Sequence, residues 1–193
     1  MAHIPTDERR TDFINAAIRI IAKHGVEGAT TRKIAEEAGA PLATLHYCFS
    51  TKDKLLAAVY DEQVHVLGGS VFRVEPGSGI GPAAALLLRE CVDWYLQDSG
   101  LAAAGLDLVM WGRRRDQAMG RSAYARTFSD IETALRTAMI DTDDAELIPG
   151  AARILAVLMD GFLVQWIVNE DKDQLLADVE IAAESLKDRL SRG

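Results

Sequence analysis

Between Thr30 and Lys54 the chain reads TTRKIAEEAGAPLATLHYCFSTKDK, and its reactive side chains there are cations, hydroxyls and rings. Arg32 and Lys33 fall in the first turn of a short helix and Lys52 near the start of a later one, positions from which a cation reaches a phosphate. Thr30 is a good N-cap whose hydroxyl can also bond phosphate, and Thr44 can bond phosphate or a base. With Leu45 and Phe49 turned inward and Ala40 ahead of them, Leu42, Ala43, Thr44, His46 and Tyr47 point outward. A solvated helix carries charge on that face. Small groups, a hydroxyl and two rings suit a helix pressed against base edges and phosphates in the major groove of DNA. The opening Pro41-Leu42-Ala43 is apolar, which favours thymine methyls and shape over arginine-to-guanine pairing.

The elements that must hold these residues are legible beside them. Ile34, Ala35 and Ala38 give the first helix of the pair an apolar face, and Gly39 suits the left-handed residue that ends it. Pro41 suits the first turn of the next helix. A preceding helix over 11–24 turns Phe13, Ala17, Ile20 and Ile21 inward and is closed by Gly25 and Gly28. Ser50 and Asp53 form a capping-box pattern for a fourth helix running to Leu67, where GGS is expected to break it.

From Arg9 to Tyr60 the chain resembles the DNA-binding domain of the TetR family of transcriptional regulators. The resemblance rests on FINAAIRIIAKHG, ATTRKIAEEAG, TLHYCF and STKDKLL standing in that order. TLHYCF is similar to the family's recognition-helix ending, with Lys52 at the position of its lysine. His46 and Tyr47 fall on the two aromatic positions of that motif, where a tyrosine is commoner than His46. The resemblance implies DNA contacts from Thr30, Arg32, Lys33, Pro41, Leu42, Ala43, Thr44, His46, Tyr47 and Lys52.

Composition is compatible with this once charge is divided along the chain. The net charge is −8, yet residues 1–56 carry eight Lys/Arg against seven Asp/Glu, and residues 57–193 carry thirteen against twenty-two. The acidity lies away from the helix-turn-helix, and the local field is what phosphates meet. The start of the chain has no secretory pattern, and no apolar run approaching a membrane span is read, so a cytoplasmic protein is expected. Cys48 and Cys91 make neither a disulfide framework nor a zinc site, and His3, His24, His46 and His65 are scattered. No cofactor, metal or catalytic set is expected, and an enzyme is the remote reading.

The expected fold is all-α: a helix-turn-helix domain over 1–56 joined through the fourth helix to a larger helical domain over 57–193. After the VEPGSGIGP loop, helices are expected over 82–97, 114–140, 151–169 and 172–191, with a glycine-bounded segment over 101–111. The resemblance implies that this body binds a small apolar or amphipathic effector and forms a homodimer on a palindromic operator. Candidate ligand residues are Trp94, Asp107, Met110, Trp111, Tyr124, Phe128, Phe162, Gln165 and Trp166, with Tyr95, Arg113, Met119 and Met159 in the wider set. The helix over 151–169 has an apolar arc too wide for one core face and the helix over 172–191 a coiled-coil-like seam, so Leu155, Leu158, Phe162, Leu176, Val179, Ala183, Leu186 and Leu190 are the candidate dimer seam. Control by a protein partner, or DNA binding with no effector, is the alternative.

Overall fold

The structure is a computed structural model that describes the backbone of residues 6–70, 72–97, 99–115 and 117–192. Side chains are described for these except at 6–7, 63–68, 70, 99, 115, 117–120 and 122–123. It is helical throughout, with no strand among the described residues. The helices are α1 (Thr6–Gly28), α2 (Thr31–Glu37), α3 (Leu42–Cys48), α4 (Lys52–Ser70), α5 (Ile80–Gln97), α6 (Ser99–Arg115), α7 (Gln117–Ala138), α8 (Ile148–Asn169) and α9 (Lys172–Ser191). A 3-10 turn, Ala145–Leu147, precedes α8.

The chain divides into two compact units. The first joins Met1–His65 to Gly100–Arg121, so α6 packs with the N-terminal helices. Its core is Phe13, Ala17, Ile20 and Ile21 from α1, Ile34 and Ala35 from α2, Leu45 and Phe49 from the α3 region, and Leu55, Leu56 and Val59 from α4. Ala104, Leu108 and Trp111 of α6 complete it. The span of α1 is interrupted at Gly25 (φ 67, ψ 169), a conformation open only to glycine.

The second unit, Val66–Ser99 with Ser122–Gly193, is built around α5, which packs on α8 and α9. Gly81 permits the closest crossing: a Cβ there would stand 2.6 Å from the Lys187 carbonyl oxygen of α9. The start of α5 is held by Asp143, whose Oδ2 accepts from the N–H of Ile80 (2.9 Å) and of Ile140 (3.0 Å). By length and composition α8 could cross a membrane; within this unit its inward side is buried, including Leu155, Met159, Phe162 and Leu163.

Several boundaries differ from expectation for local reasons. Thr51 rather than Ser50 caps α4, accepting from the Lys54 N–H at 3.1 Å. Gly68 and Gly69 do not end that helix, because glycine weakens a helix by only about 1 kcal/mol and neither takes a positive φ. Pro41 occupies the N-cap of α3 in an extended conformation, one residue outside the turn. The segment over 101–111 is part of a continuous helix despite its glycines.

On the surface of the second unit Arg89 of α5 grips Glu180 (2.6 Å) and Glu184 (2.8 Å) of α9. The guanidinium's hydrogen bonds hold both carboxyls below the ordinary value of 4.5. Because the folded values are depressed, this contribution is present above the unfolded glutamate value and is lost as pH falls through the folded ones. Arg89→Met is therefore expected to lower the melting temperature at neutral pH, with the gap to wild type narrowing as pH falls below the ordinary glutamate value. Thermal melts of both proteins across that range check it.

Candidate DNA interface and ligand site

The helix-turn-helix is assembled by short, well-terminated pieces. Thr30 caps α2, its hydroxyl accepting from the Lys33 N–H at 3.2 Å. Gly39 takes φ 61 and lets the chain reverse into Pro41. Leu45 and Phe49 are buried on the inner side of α3, which fixes the outer side as Leu42, Ala43, His46 and Tyr47, with Thr44 half-buried. Tyr47 is 80% exposed, a high value for a phenol ring on a rigid helix. Arg10 braces the far end: its guanidinium donates to the Cys48 carbonyl (2.6 Å) and lies 4.3 Å above the Phe49 ring.

The cations differ in how free they are. Arg32 is exposed and pairs only loosely along α2 with Glu36 (3.1 Å). Lys33 Nζ donates to the Gly28 carbonyl at 3.3 Å while remaining on the surface. Lys52 is half-buried and its Nζ donates to the Val26 carbonyl at 2.9 Å, a structural bond that sequence reasoning did not find. An ammonium has three donors, so this bond leaves capacity for a phosphate.

Of the expected ligand residues, the first unit holds three. Trp111 is in its core, Met110 is exposed, and Asp107 is bound to backbone: its Oδ2 accepts the Val26 N–H at 2.6 Å. Asp107 thus caps the break in α1. Its pairing with a residue eighty-one positions away left no sequence signal. The other six lie in the second unit. Tyr124 donates to Asp160, a residue outside the expected set, and its ring is tilted against Phe128. Trp94 is half-buried and edge-on to Tyr95. Phe162 is buried, Gln165 donates to Asp178 (3.0 Å), and Trp166 has a buried indole N–H with no partner among the described residues. The side chain of Met119 lies outside the described residues.

The expected seam residues Leu155, Phe162, Val179, Ala183 and Leu190 are buried within the single chain, because α8 and α9 use that side against α5. Leu158 and Leu186 are half-buried and Leu176 is exposed. A different stripe is left uncovered: Ile154, Val157, Gly161, Val164 and Val168 recur at helical spacing along α8 and are all exposed. Ile181 of α9 is also 69% exposed.

A buried helix-turn-helix scaffold presenting an outward ring-bearing helix defines a DNA-binding regulator. The family model for bacterial regulatory proteins of the tetR family matches residues 13–59. The HTH-type nicotine-responsive transcriptional repressor HdnoR of Paenarthrobacter nicotinovorans is 33% identical over 170 residues, 86% of this chain and 87% of that protein. Among solved structures, the multidrug binding protein EbrR complexed with ethidium aligns with TM-score 0.72 at 25% identity, over 97% of this chain and 99% of that one. A transcriptional regulator from Pseudomonas aeruginosa PAO1 aligns with TM-score 0.72 at 25% identity, over 99% and 94%. The chain belongs to the tetR family of bacterial regulatory proteins, and is a helix-turn-helix transcriptional regulator.

Proposed function

We propose that this protein is a repressor that binds a palindromic operator as a homodimer in the cytoplasm and is released by a small amphipathic effector, and that it is not an enzyme. The observation that carries the reading is the outer face of α3, where Leu42, Ala43, His46 and Tyr47 stand exposed on a helix fixed from behind by Leu45 and Phe49. Arg32, Lys33, Thr30 and Lys52 flank it as phosphate contacts, and Pro41, Leu42, Ala43, Thr44, His46 and Tyr47 meet the groove. In this reading the DNA reader spans 1–56 and the effector-binding and dimerisation body 57–193; the compact unit that contains the reader also takes in Gly100–Arg121 of that body. A dimer supports two half-sites about 34 Å apart, and the exposed α8 stripe is the surface available to form it.

A repressor responsive to nicotine and a multidrug binding protein with bound ethidium are among its relatives, which supports a small organic effector. The test is a mobility shift on DNA upstream of the protein's own gene, repeated with nicotine and with ethidium. A sequence-specific shift relieved by either compound supports the reading, and no shift on any such fragment removes it. Within that assay Arg32→Ala should weaken binding to every sequence and reduce the salt slope by about one unit, whereas Tyr47→Ala or His46→Ala should change sequence preference. Affinities measured across a salt series on cognate and scrambled fragments separate the two.

A further inference from the structure

Three helices of the second unit bring polar side chains together inside an otherwise apolar bundle. Cys91 and Tyr95 come from successive turns of α5, Tyr124 from α7 and Asp160 from α8. The Tyr124 hydroxyl donates to Asp160 Oδ2. Tyr95 and Cys91 are both buried, four residues apart on one face of α5. The Phe128 ring lies 5.8 Å from that of Tyr124, inclined at 55°. Asp160 itself is half-buried, and among the described residues no Lys, Arg or His pairs with it.

Among the described residues, Asp160 is therefore a half-buried carboxyl without a positive partner. Burial pushes the Cys91 thiol up to about 12 and the Tyr95 phenol well above its ordinary value, so both stay neutral. Burial also raises the Asp160 carboxyl, and the hydrogen bond from Tyr124 opposes this only in part. Placing a carboxylate among rings and a thiol with one neutral donor is costly unless a positive charge joins it. A cation bearing rings would satisfy both the carboxylate and the aromatic faces, whereas an anion would meet like charge.

We infer that Asp160 is the anchor of the effector site, and that the effector is an aromatic organic cation, a protonated or quaternary ring nitrogen compound, stacked on Tyr124 and Phe128. This rests on the ligand-responsive reading above and names the chemistry of its ligand.

The experiment uses the full chain and two dyes of nearly equal shape: N-methylacridinium, a permanent cation, and acridine, which is neutral at ~pH 8. Fluorescence titration is expected to show the cation binding about tenfold more tightly or better, as a partly desolvated charge pair provides. Asp160→Asn keeps an acceptor for Tyr124 and should bring the cation down to the affinity of acridine, which itself stays unchanged. Operator binding by that variant without dye reports that it folds; if it does not fold, Asp160→Ser, a smaller neutral side chain, takes its place in the titration with the same expected result. Equal affinities, no binding of either dye, or a cation preference that survives Asp160→Asn would overturn the inference. If the preference depends on Asp160 but the dye leaves the operator complex intact, the anchor stands and the ligand-release reading falls. Release by acridine with no preference for the cation would do the reverse.

Discussion

Val164→Asp is expected to abolish tight operator binding, with a loss of at least ~100-fold, while leaving the helical content of the chain intact. Val164 sits in the middle of the exposed α8 stripe between Gly161 and Val168, and 46% of its surface is left open by its own protomer. Burying a branched apolar side chain stabilises by about 1.5–3 kcal/mol, and Ile154, Val157, Val164 and Val168 offer that gain along one face. A two-fold interface uses the same patch twice, so the substitution inserts two carboxylates into one apolar contact. Each would be desolvated without a partner, at several kcal/mol. The proposed dimer would be lost, and each half-site would then be read by one helix-turn-helix without help from the other. Size-exclusion chromatography with light scattering should report a monomer, and circular dichroism an unchanged helix content. Val164→Asp that remained a dimer with full operator affinity would move the interface off α8. A substitution at Leu155, nine residues earlier on α8 but buried, should instead lower stability without selectively splitting the dimer.

How much of this was readable beforehand depends on the range of the interaction. The cap at Thr30, the turn at Gly39 and the inward pair Leu45 and Phe49 are local rules acting over three or four residues, and all stand in the structure as the sequence implied. The outward position of Tyr47 and His46 follows from the same spacing. Long-range facts left no such trace. Apolar periodicity in α8 and α9 announced a buried face but could not say whether a core or a second copy would bury it. The heptad-like positions Val179, Ala183 and Leu190 go to the protomer, and the free stripe is the less regular one. Asp160 was missed because a single acid in an apolar helix has no pattern, and only folding brings Tyr124 to it. The place of Lys52 in the motif points to a phosphate contact. The bond to Val26 needed the third dimension.

Residue Val26 is held from both sides, and removing Asp107 should show what that grip does. Its N–H goes to Asp107 Oδ2 of α6 at 2.6 Å and its carbonyl to Lys52 Nζ of α4 at 2.9 Å, just where Gly25 breaks α1. Val26 is fully buried, so water cannot replace the Asp107 oxygen at its N–H, whereas its carbonyl also accepts the Ala29 N–H at 3.3 Å. Asp107→Ala leaves a buried amide unsatisfied and forfeits a charged hydrogen bond, a cost of about 1.5–3 kcal/mol. Asp107→Asn, which keeps an oxygen acceptor but no charge, should lose about half as much. The α1–α2 corner sets the angle at which α2 and α3 leave the core, so operator affinity should fall along with the melting temperature, with no effector present. Lys52→Ala should be non-additive with Asp107→Ala, since both release the same residue, and a double-mutant cycle measures the coupling. A ligand anchor would behave differently: were Asp107 serving the effector alone, Asp107→Ala would leave the melt and the ligand-free operator affinity unchanged and weaken only release. The hydrogen bond to Val26 argues for the first outcome.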